Sequence, residues 1–519
     1  MMRQSPRVAA LVAAFALAPI ARAQSALTFT LPFGPHTVGF KTAEQIDHSR
    51  TFADPIDGEG KMTTGDRGRP MQISIWYPSS AATSAPRVSY RSYAELAVSP
   101  GQLPSPSADG RRATVRRLLG GFRLDDTSGK GRREMDAPTH AVRDGDAERG
   151  SFPMVIYGPS FNAPSFENDV LMEYIASQGY IVVSSPSVGA RGAMTGDLVG
   201  IETQARDMEY LIGYARTLPS ADPSRVAVMG FSWGGISDVL VAMRYSGLRA
   251  VICLDGSVAY FYPLFKTNPH VDLARFDVPF LFMKQMQMPF DSAARANGVD
   301  SAFTFFDSIK YADAMLVTFQ KMRHQNFGAM FAKFQTQPSR AFVADPVVAS
   351  TGYERIARYA LAFLDANVKD DPKARAFLAR SPDENGIPAA EATVRRKIAL
   401  RPAPTLASFI HESHEKGLAK SAELLAAVRA GDPAYALPEA EVNALGYRLL
   451  QEKRVADAVG VLEMNVALYP KSSNAYDSLA EAYAASGDSS RAIANYDKSL
   501  ALDPNNTNAV TWLKKLRAK

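Results

Sequence analysis

One short segment limits what this chain can fold into. An apolar run, Arg225-Val226-Ala227-Val228-Met229, leads into Gly230-Phe231-Ser232-Trp233-Gly234-Gly235, and a helical pattern follows to about Tyr245. Strand, then Gly-x-Ser-x-Gly, then helix is the order a nucleophile elbow requires. The turn must be sharp enough to lift a serine hydroxyl above the end of a sheet, and glycines at 230 and 234 leave room for it. Ser232 is therefore the candidate nucleophile.

The flanking sequence supplies the sheet. Residues 153–157, 180–184, 250–254 and 278–283 are short continuous apolar runs, the pattern of strands buried on both faces. Helices are expected over 166–177 with Ser165 as N-cap, over 200–217 and over 301–321, and a further one over about 353–368 closes the domain. Strands alternating with helices imply an α/β fold, a mostly parallel sheet with helices on both faces. Residues 71–78 alternate apolar and polar, which suits an antiparallel strand near a sheet edge. Residues 100–150 are rich in Gly, Ser, Pro and Arg and read as an insertion, either a flap beside the site or a solvated linker, with a short helix around 113–119.

At 519 residues the chain is too long for one ordinary core. Arg3 and Arg7 precede an apolar run over 8–20, and Ala21-Arg22-Ala23 offers a cleavage site, so 1–23 reads as a secretory signal peptide. A periplasmic or secreted enzyme is expected. Removing 1–23 takes away three arginines and no acid, leaving 55 of 58 basic residues against 53 acidic ones. So small a net charge implies no nucleic-acid partner. No other run is long and apolar enough for an integral membrane span in the mature chain. Cys253, the only cysteine, lies in Val251-Ile252-Cys253-Leu254 and reads as a buried apolar residue.

The tail follows another rule. Val466-Ala467-Leu468 matches Leu500-Ala501-Leu502, Leu445-Gly446 matches Leu479-Ala480, and Pro470 matches Pro504, each at a shift of 34. That period, with small residues at helix crossings, resembles the tetratricopeptide repeat over 438–519. Two repeats and a last helix are few for independent stability, so helices within 405–429 are expected to cap the array. The chain thus divides into the signal peptide, a catalytic domain over 24–400, a helical connector over 401–437 and an all-α tetratricopeptide-like domain. The repeats imply a protein partner or self-association, with a purely structural role as the alternative.

A serine alone is a poor nucleophile at neutral pH; it needs a general base, and a carboxylate to orient that base. After an elbow of this kind the acid follows a later strand and the histidine comes later still. Asp255 directly follows the run 251–254, and Asp291 is its rival, eight residues beyond Met283. His324 is the only histidine between His270 and His411. His36, His48 and His140 precede the elbow and read as surface or loop residues. Phe161, Phe166, Trp233, Tyr260, Phe261 and Tyr262 line a pocket or pack the core, as do the methionines within 283–288. No cluster has metal-ligand spacing.

Three stretches carry a resemblance: 230–235, then Leu254-Asp255-Gly256, then His324-Gln325-Asn326-Phe327. Together they resemble the platelet-activating-factor acetylhydrolase-like branch of the α/β-hydrolases, with dienelactone hydrolase-like proteins as near relatives. The resemblance spans about 25–370. It implies an α/β-hydrolase fold, a triad of Ser232, His324 and Asp255 (rather than Asp291), and carboxylic-ester hydrolysis without metal or organic cofactor. Where the family usually has His-Gly after its first central strand, this chain has Gly158-Pro159-Ser160-Phe161. Proline has no N–H to donate. An ungapped count back from Gly179 puts the first oxyanion donor at Phe161, with Ser160 as the alternative; Trp233 supplies the second. A serine esterase of the lipase or acetylhydrolase kind, acting on a small-molecule ester, is the leading expectation. A serine peptidase of the same fold, or a tetratricopeptide interaction protein with a degenerate hydrolase domain, are the alternatives.

Overall fold

A computed structural model describes residues 25–518 apart from 53, 55, 57–59, 63–65, 97–106, 128, 287–298, 301, 336, 338, 340, 341, 344 and 415. The expected signal peptide and the rival acid Asp291 lie outside the described residues.

The strands are β1 Thr37–Thr51, β2 Gly68–Ser79, β3 Arg87–Ser89, β4 Pro138–Arg143, β5 Phe152–Gly158, β6 Ile181–Ser184, β7 Ala221–Phe231, β8 Leu248–Leu254, β9 Phe280–Gln285, β10 Ala314–Phe319 and β11 Ala392–Lys397. They form one sheet in the order β11-β10-β9-β8-β7-β5-β6-β2-β1-β4-β3. The strands from β10 through β6 pair in parallel. β2 is antiparallel to β6, and β11 closes the far edge antiparallel to β10. Both faces of the central strands are covered, which is why their runs are apolar without alternation. In β7, Val226 and Val228 enter a core with the helices Leu198–Ala215 and Trp233–Arg244. Ala227 and Met229 enter the opposite core, with Asp169–Ser177 and Pro346–Val368.

The expected α/β architecture is present, and several local expectations are corrected. Residues 301–321 are not one helix: among the described residues of this stretch only Thr304–Ser308 is helical, and β10 follows. β10 is buried between β9 and β11, where six apolar-rich residues satisfy their backbone by ladder bonds. Ser165 is not an N-cap. Its hydroxyl shares a 2.7 Å hydrogen bond with Ser74, and the helix begins only at Asp169. β2 is no edge strand, because β1, β4 and β3 lie outside it; even its polar Gln72 and Ser74 are buried. Among the described residues, the 100–150 region holds two helices, Ala108–Gly121 and Gly129–Asp136, and then β4, which pairs in parallel with β1. His140 is thus a strand residue, its ring stacked on Phe33 at 3.7 Å.

Beyond β11 the described chain is all helical. Glu439–Gln451, Ser473–Ala485 and Thr507–Arg517 begin 34 residues apart, and so do Val455–Leu468 and Ser489–Leu502. Ser472, Asp488 and Asn506 each cap the helix that follows, accepting an orphan amide near its start. Ala458, Ala480, Ala492 and Ala509 are fully buried where helices cross. The helices Leu406–Ser413 and Ser421–Gly431 lend Phe409, Leu424 and Leu425 to the core of the first pair. The Tyr311 hydroxyl, beside β10, donates to Asp432 at 2.8 Å and ties this region to the sheet. Among the described residues no helix is long and apolar enough to cross a membrane.

Candidate active site

Ser232 follows the last residue of β7 at φ 55°, ψ −113°. A side-chain-bearing residue rarely adopts a positive φ, which costs about 1–3 kcal/mol and persists only where the surroundings enforce it. Here they do. The Ser232 amide donates to Leu254 O at 3.1 Å, and its carbonyl accepts from Gly235 at 3.1 Å and Ser257 at 2.6 Å. The glycines are steric necessities: a Cβ on Gly234 would stand 1.9 Å from the Gly158 carbonyl oxygen, and one on Gly230 would stand 2.5 Å from the Gly234 carbonyl carbon.

The structure brings Ser232, His324 and Asp255 together. Ser232 Oγ is 2.9 Å from His324 Nε2, and His324 Nδ1 is 2.7 Å from Asp255 Oδ2. Asp255 sits directly after β8 and is fully buried. Its Oδ1 accepts the Tyr260 hydroxyl at 3.0 Å and the Gln285 amide at 3.3 Å, and its Oδ2 accepts Gln285 Nε2 at 2.9 Å. A buried carboxylate needs such donors to replace lost water. Burial, then the Asp255 charge, pushes Tyr260 well above the usual phenol range, so it stays a neutral donor. With Nδ1–H aimed at the carboxylate, His324 presents an accepting Nε2 to the serine hydroxyl.

His324 opens a short turn, His324–Phe327, just after β10. Asn326 holds that turn: its Oδ1 accepts Arg323 N at 3.0 Å and Val343 N at 3.2 Å. The imidazole is 19% exposed, enough for contact with a substrate, and leans on the Phe231 ring at 5.1 Å.

On the other side of Ser232 lies the loop after β5. A turn closes it, with Ala163 N donating to Ser160 O at 3.1 Å and Asn162 at φ 55°. Gln204 Nε2 holds the Pro159 carbonyl at 2.7 Å, and Asn162 Oδ1 accepts Met194 N at 2.8 Å. The Ser160 amide, the alternative oxyanion donor, points inward to Glu167 Oε2 at 2.8 Å and is already committed. The Phe161 amide, at the turn's outer corner, and the Trp233 amide, at the helix start, have no acceptor among the described residues. Their side chains meet edge to face at 5.7 Å, and Trp233 meets Phe261 at 6.0 Å. Phe161 and Phe261 are 43% and 37% exposed, whereas Phe166, Tyr260 and Tyr262 are buried. Met283 and Cys253 are fully buried, and Cys253 is a free thiol.

Glu167 and Asn168, like Gln204 and Gln285, are polar residues of this site that sequence reasoning missed. Glu167 and Asn168 are both fully buried. Burial pushes the Glu167 carboxyl up to about 7, against the pull of the Ser160 hydroxyl and amide. The Gly158-Pro159-Ser160-Phe161 departure was the one available signal that something beneath the loop had to hold it.

The sequence model of the X-Pro dipeptidyl-peptidase family (S15 family) matches residues 68–277, which include β2 and the elbow. No curated protein matches the chain. Among solved structures it is similar to a ferulic acid esterase from Streptomyces cinnamoneus, with a TM-score of 0.51 and 19% sequence identity over 72% of this chain and 99% of that one. The sheet order, the elbow and this likeness agree on the α/β-hydrolase fold.

Proposed function

We infer that this chain is a serine hydrolase whose substrates are carboxylic esters. One observation carries the reading: a serine held in a strained turn, within hydrogen-bond reach of a histidine that is itself held by a buried carboxylate. His324 takes the Ser232 proton as Oγ attacks the ester carbonyl carbon. The amides of Phe161 and Trp233 receive the oxyanion. Collapse expels the alcohol, which takes its proton from His324, and water repeats the cycle on the acyl-enzyme. Asp255 keeps the imidazole in the productive tautomer and stabilises its cation.

Phe161 and Phe261 offer apolar surface beside the nucleophile, which suits an ester with an apolar or aromatic acyl group. The ferulic acid esterase supports an ester reading, and the resemblance of the Leu254-Asp255-Gly256 and His324–Phe327 stretches supports it independently. The signal-peptide pattern over 1–23 supports export to the periplasm or the exterior. The 34-residue helical period supports a tetratricopeptide reading of 438–519, with a protein partner or a second copy as the proposed occupant of the repeats.

The match to the X-Pro dipeptidyl-peptidase family favours a second reading, a serine peptidase. One panel separates the two: p-nitrophenyl esters of graded acyl length and a feruloyl ester, against Xaa-Pro p-nitroanilides. Ester turnover at least 100-fold above anilide turnover, in roughly the proportion a tuned acyl site gives, supports the esterase. The opposite ratio replaces it with the peptidase. Fluorophosphonate labelling lost in Ser232→Ala excludes a degenerate hydrolase domain.

A further inference from the structure

The loop after β5 and the turn after β10 flank Ser232 from opposite sides, and the chain separates them widely. Both rest on one dipeptide, Glu167-Asn168, just before the helix Asp169–Ser177. Glu167 Oε2 takes the Ser160 amide at 2.8 Å, and Oε1 takes the Ser160 hydroxyl. Its backbone carbonyl accepts Met330 N at 3.0 Å, three residues past the histidine turn. Asn168 Nδ2 donates to Phe327 O at 3.2 Å and to the Tyr157 hydroxyl at 2.6 Å. Asn168 Oδ1 accepts Ala329 N at 2.7 Å and the Tyr353 hydroxyl at 2.9 Å.

A position that only fills space beneath a sheet edge is better occupied by an apolar side chain, because a buried carboxylate carries a desolvation cost. Two adjacent polar side chains, both fully buried and bonded to the two loops that surround the nucleophile, need another explanation. Turning the Ser160 amide inward leaves the next amide, that of Phe161, at the outer corner of the turn. Holding Phe327 O and Ala329 N fixes the far end of the His324 turn.

We propose that Glu167 and Asn168 are positioning residues that hold the Phe161 amide and the His324 imidazole in register around Ser232. The proposal rests on the serine-hydrolase reading. Neither residue is assigned contact with the reacting atoms; each acts through a loop. The two arms are separable: Glu167 governs the oxyanion donor, and Asn168 governs the base.

The test uses the full chain, p-nitrophenyl acetate, and phenylboronic acid as a tetrahedral mimic, with rates normalised by active-site titration. Glu167→Ala is expected to lower kcat by about 100-fold with KM within about three-fold, the signature of a lost transition-state donor. Boronate affinity falls with kcat. Glu167→Gln, whose amide oxygen still accepts the Ser160 N–H and whose NH2 can donate to the hydroxyl, returns kcat to within about five-fold. Asn168→Ala lowers kcat/KM and moves the acid limb of its pH profile, because that limb reports the base. If Glu167→Ala fails to fold, Ser160→Ala removes one of the two bonds between Ser160 and Glu167, and a fall in kcat of about three-fold or more supports the proposal. Unchanged kcat in Glu167→Ala or Ser160→Ala, or a fall in kcat with unchanged boronate affinity, overturns it. If wild-type turnover survives Ser232→Ala, the hydrolase reading falls and the proposal with it. Turnover lost in Ser232→Ala but kept in Glu167→Ala overturns the proposal alone.

Discussion

The catalytic edge of the sheet and the helical tail obey opposite contact rules. At the edge, Ser232 meets a histidine 92 residues away, and that histidine meets an aspartate 69 residues away. In the tail, Gly446 packs on Leu462 of the next helix, and every second helix starts 34 residues after the one it repeats. The edge gains its geometry from segments that meet only in the finished fold. The tail gains its stability from neighbours, so damage there should stay local.

The sharpest break of this comparison is Ser232→Ala. Turnover of p-nitrophenyl acetate should fall by roughly four to six orders of magnitude while the melting temperature holds, because the fold does not depend on the hydroxyl. Asp255→Asn comes next, with kcat down by about 10⁴-fold through the wrong imidazole tautomer, and Asp291→Asn as a control that leaves the rate within about two-fold.

Glycines sharpen the contrast. Gly234→Ala drives a methyl into the Gly158 carbonyl, where backbone must shift, and should cost more than about 3 kcal/mol by denaturant melts. Gly446→Ala meets the Leu462 side chain first, not backbone, and should cost about 1 kcal/mol, with turnover unchanged. Equal losses in the two variants would remove the distinction.

Glu167→Gln probes the edge through pH. The carboxyl stands at about 7 in the fold against 4.5 as its ordinary value, raised chiefly by burial. Its contribution to stability is full below 4.5 and is lost as pH rises through 7. The variant should therefore gain on the wild type from pH 4.5 to 8, by on the order of 3 kcal/mol, read from urea midpoints at each pH. Tyr311→Phe, at the contact between the two regions, should cost about 1 kcal/mol and leave turnover within about two-fold.

Much of this molecule was legible because its signals are local. The elbow announces itself by a strand, a glycine-flanked serine and a helix in the right order. The order of Asp255 and His324 after it leaves few other positions for an acid and a base. The 34-residue period needs only the tail to be compared with itself. What was hidden depends on pairings between distant segments. Residues 314–319 carry no turn residue that separates a buried strand from a helix, and only β9 and β11 on either side decide the matter. β1 is only half-buried or exposed over most of its length, so no apolar run marks it. Glu167, Asn168 and Asp169 look like the solvated first turn of a helix, yet all three are buried, because the segments that cover them arrive from elsewhere in the chain.

The donor assigned at position 161 is a backbone amide, while the ring at that position faces outward. What the amide does and what the side chain touches are therefore separate properties of one residue. A gene library that randomises positions 161 and 261 would vary the acyl preference of the proposed esterase without touching the groups proposed to perform its chemistry. The glycine-packed elbow beneath them would stay constant through many rounds of selection. The same arrangement gives a lineage of such proteins room to diverge in substrate while its reaction stays the same.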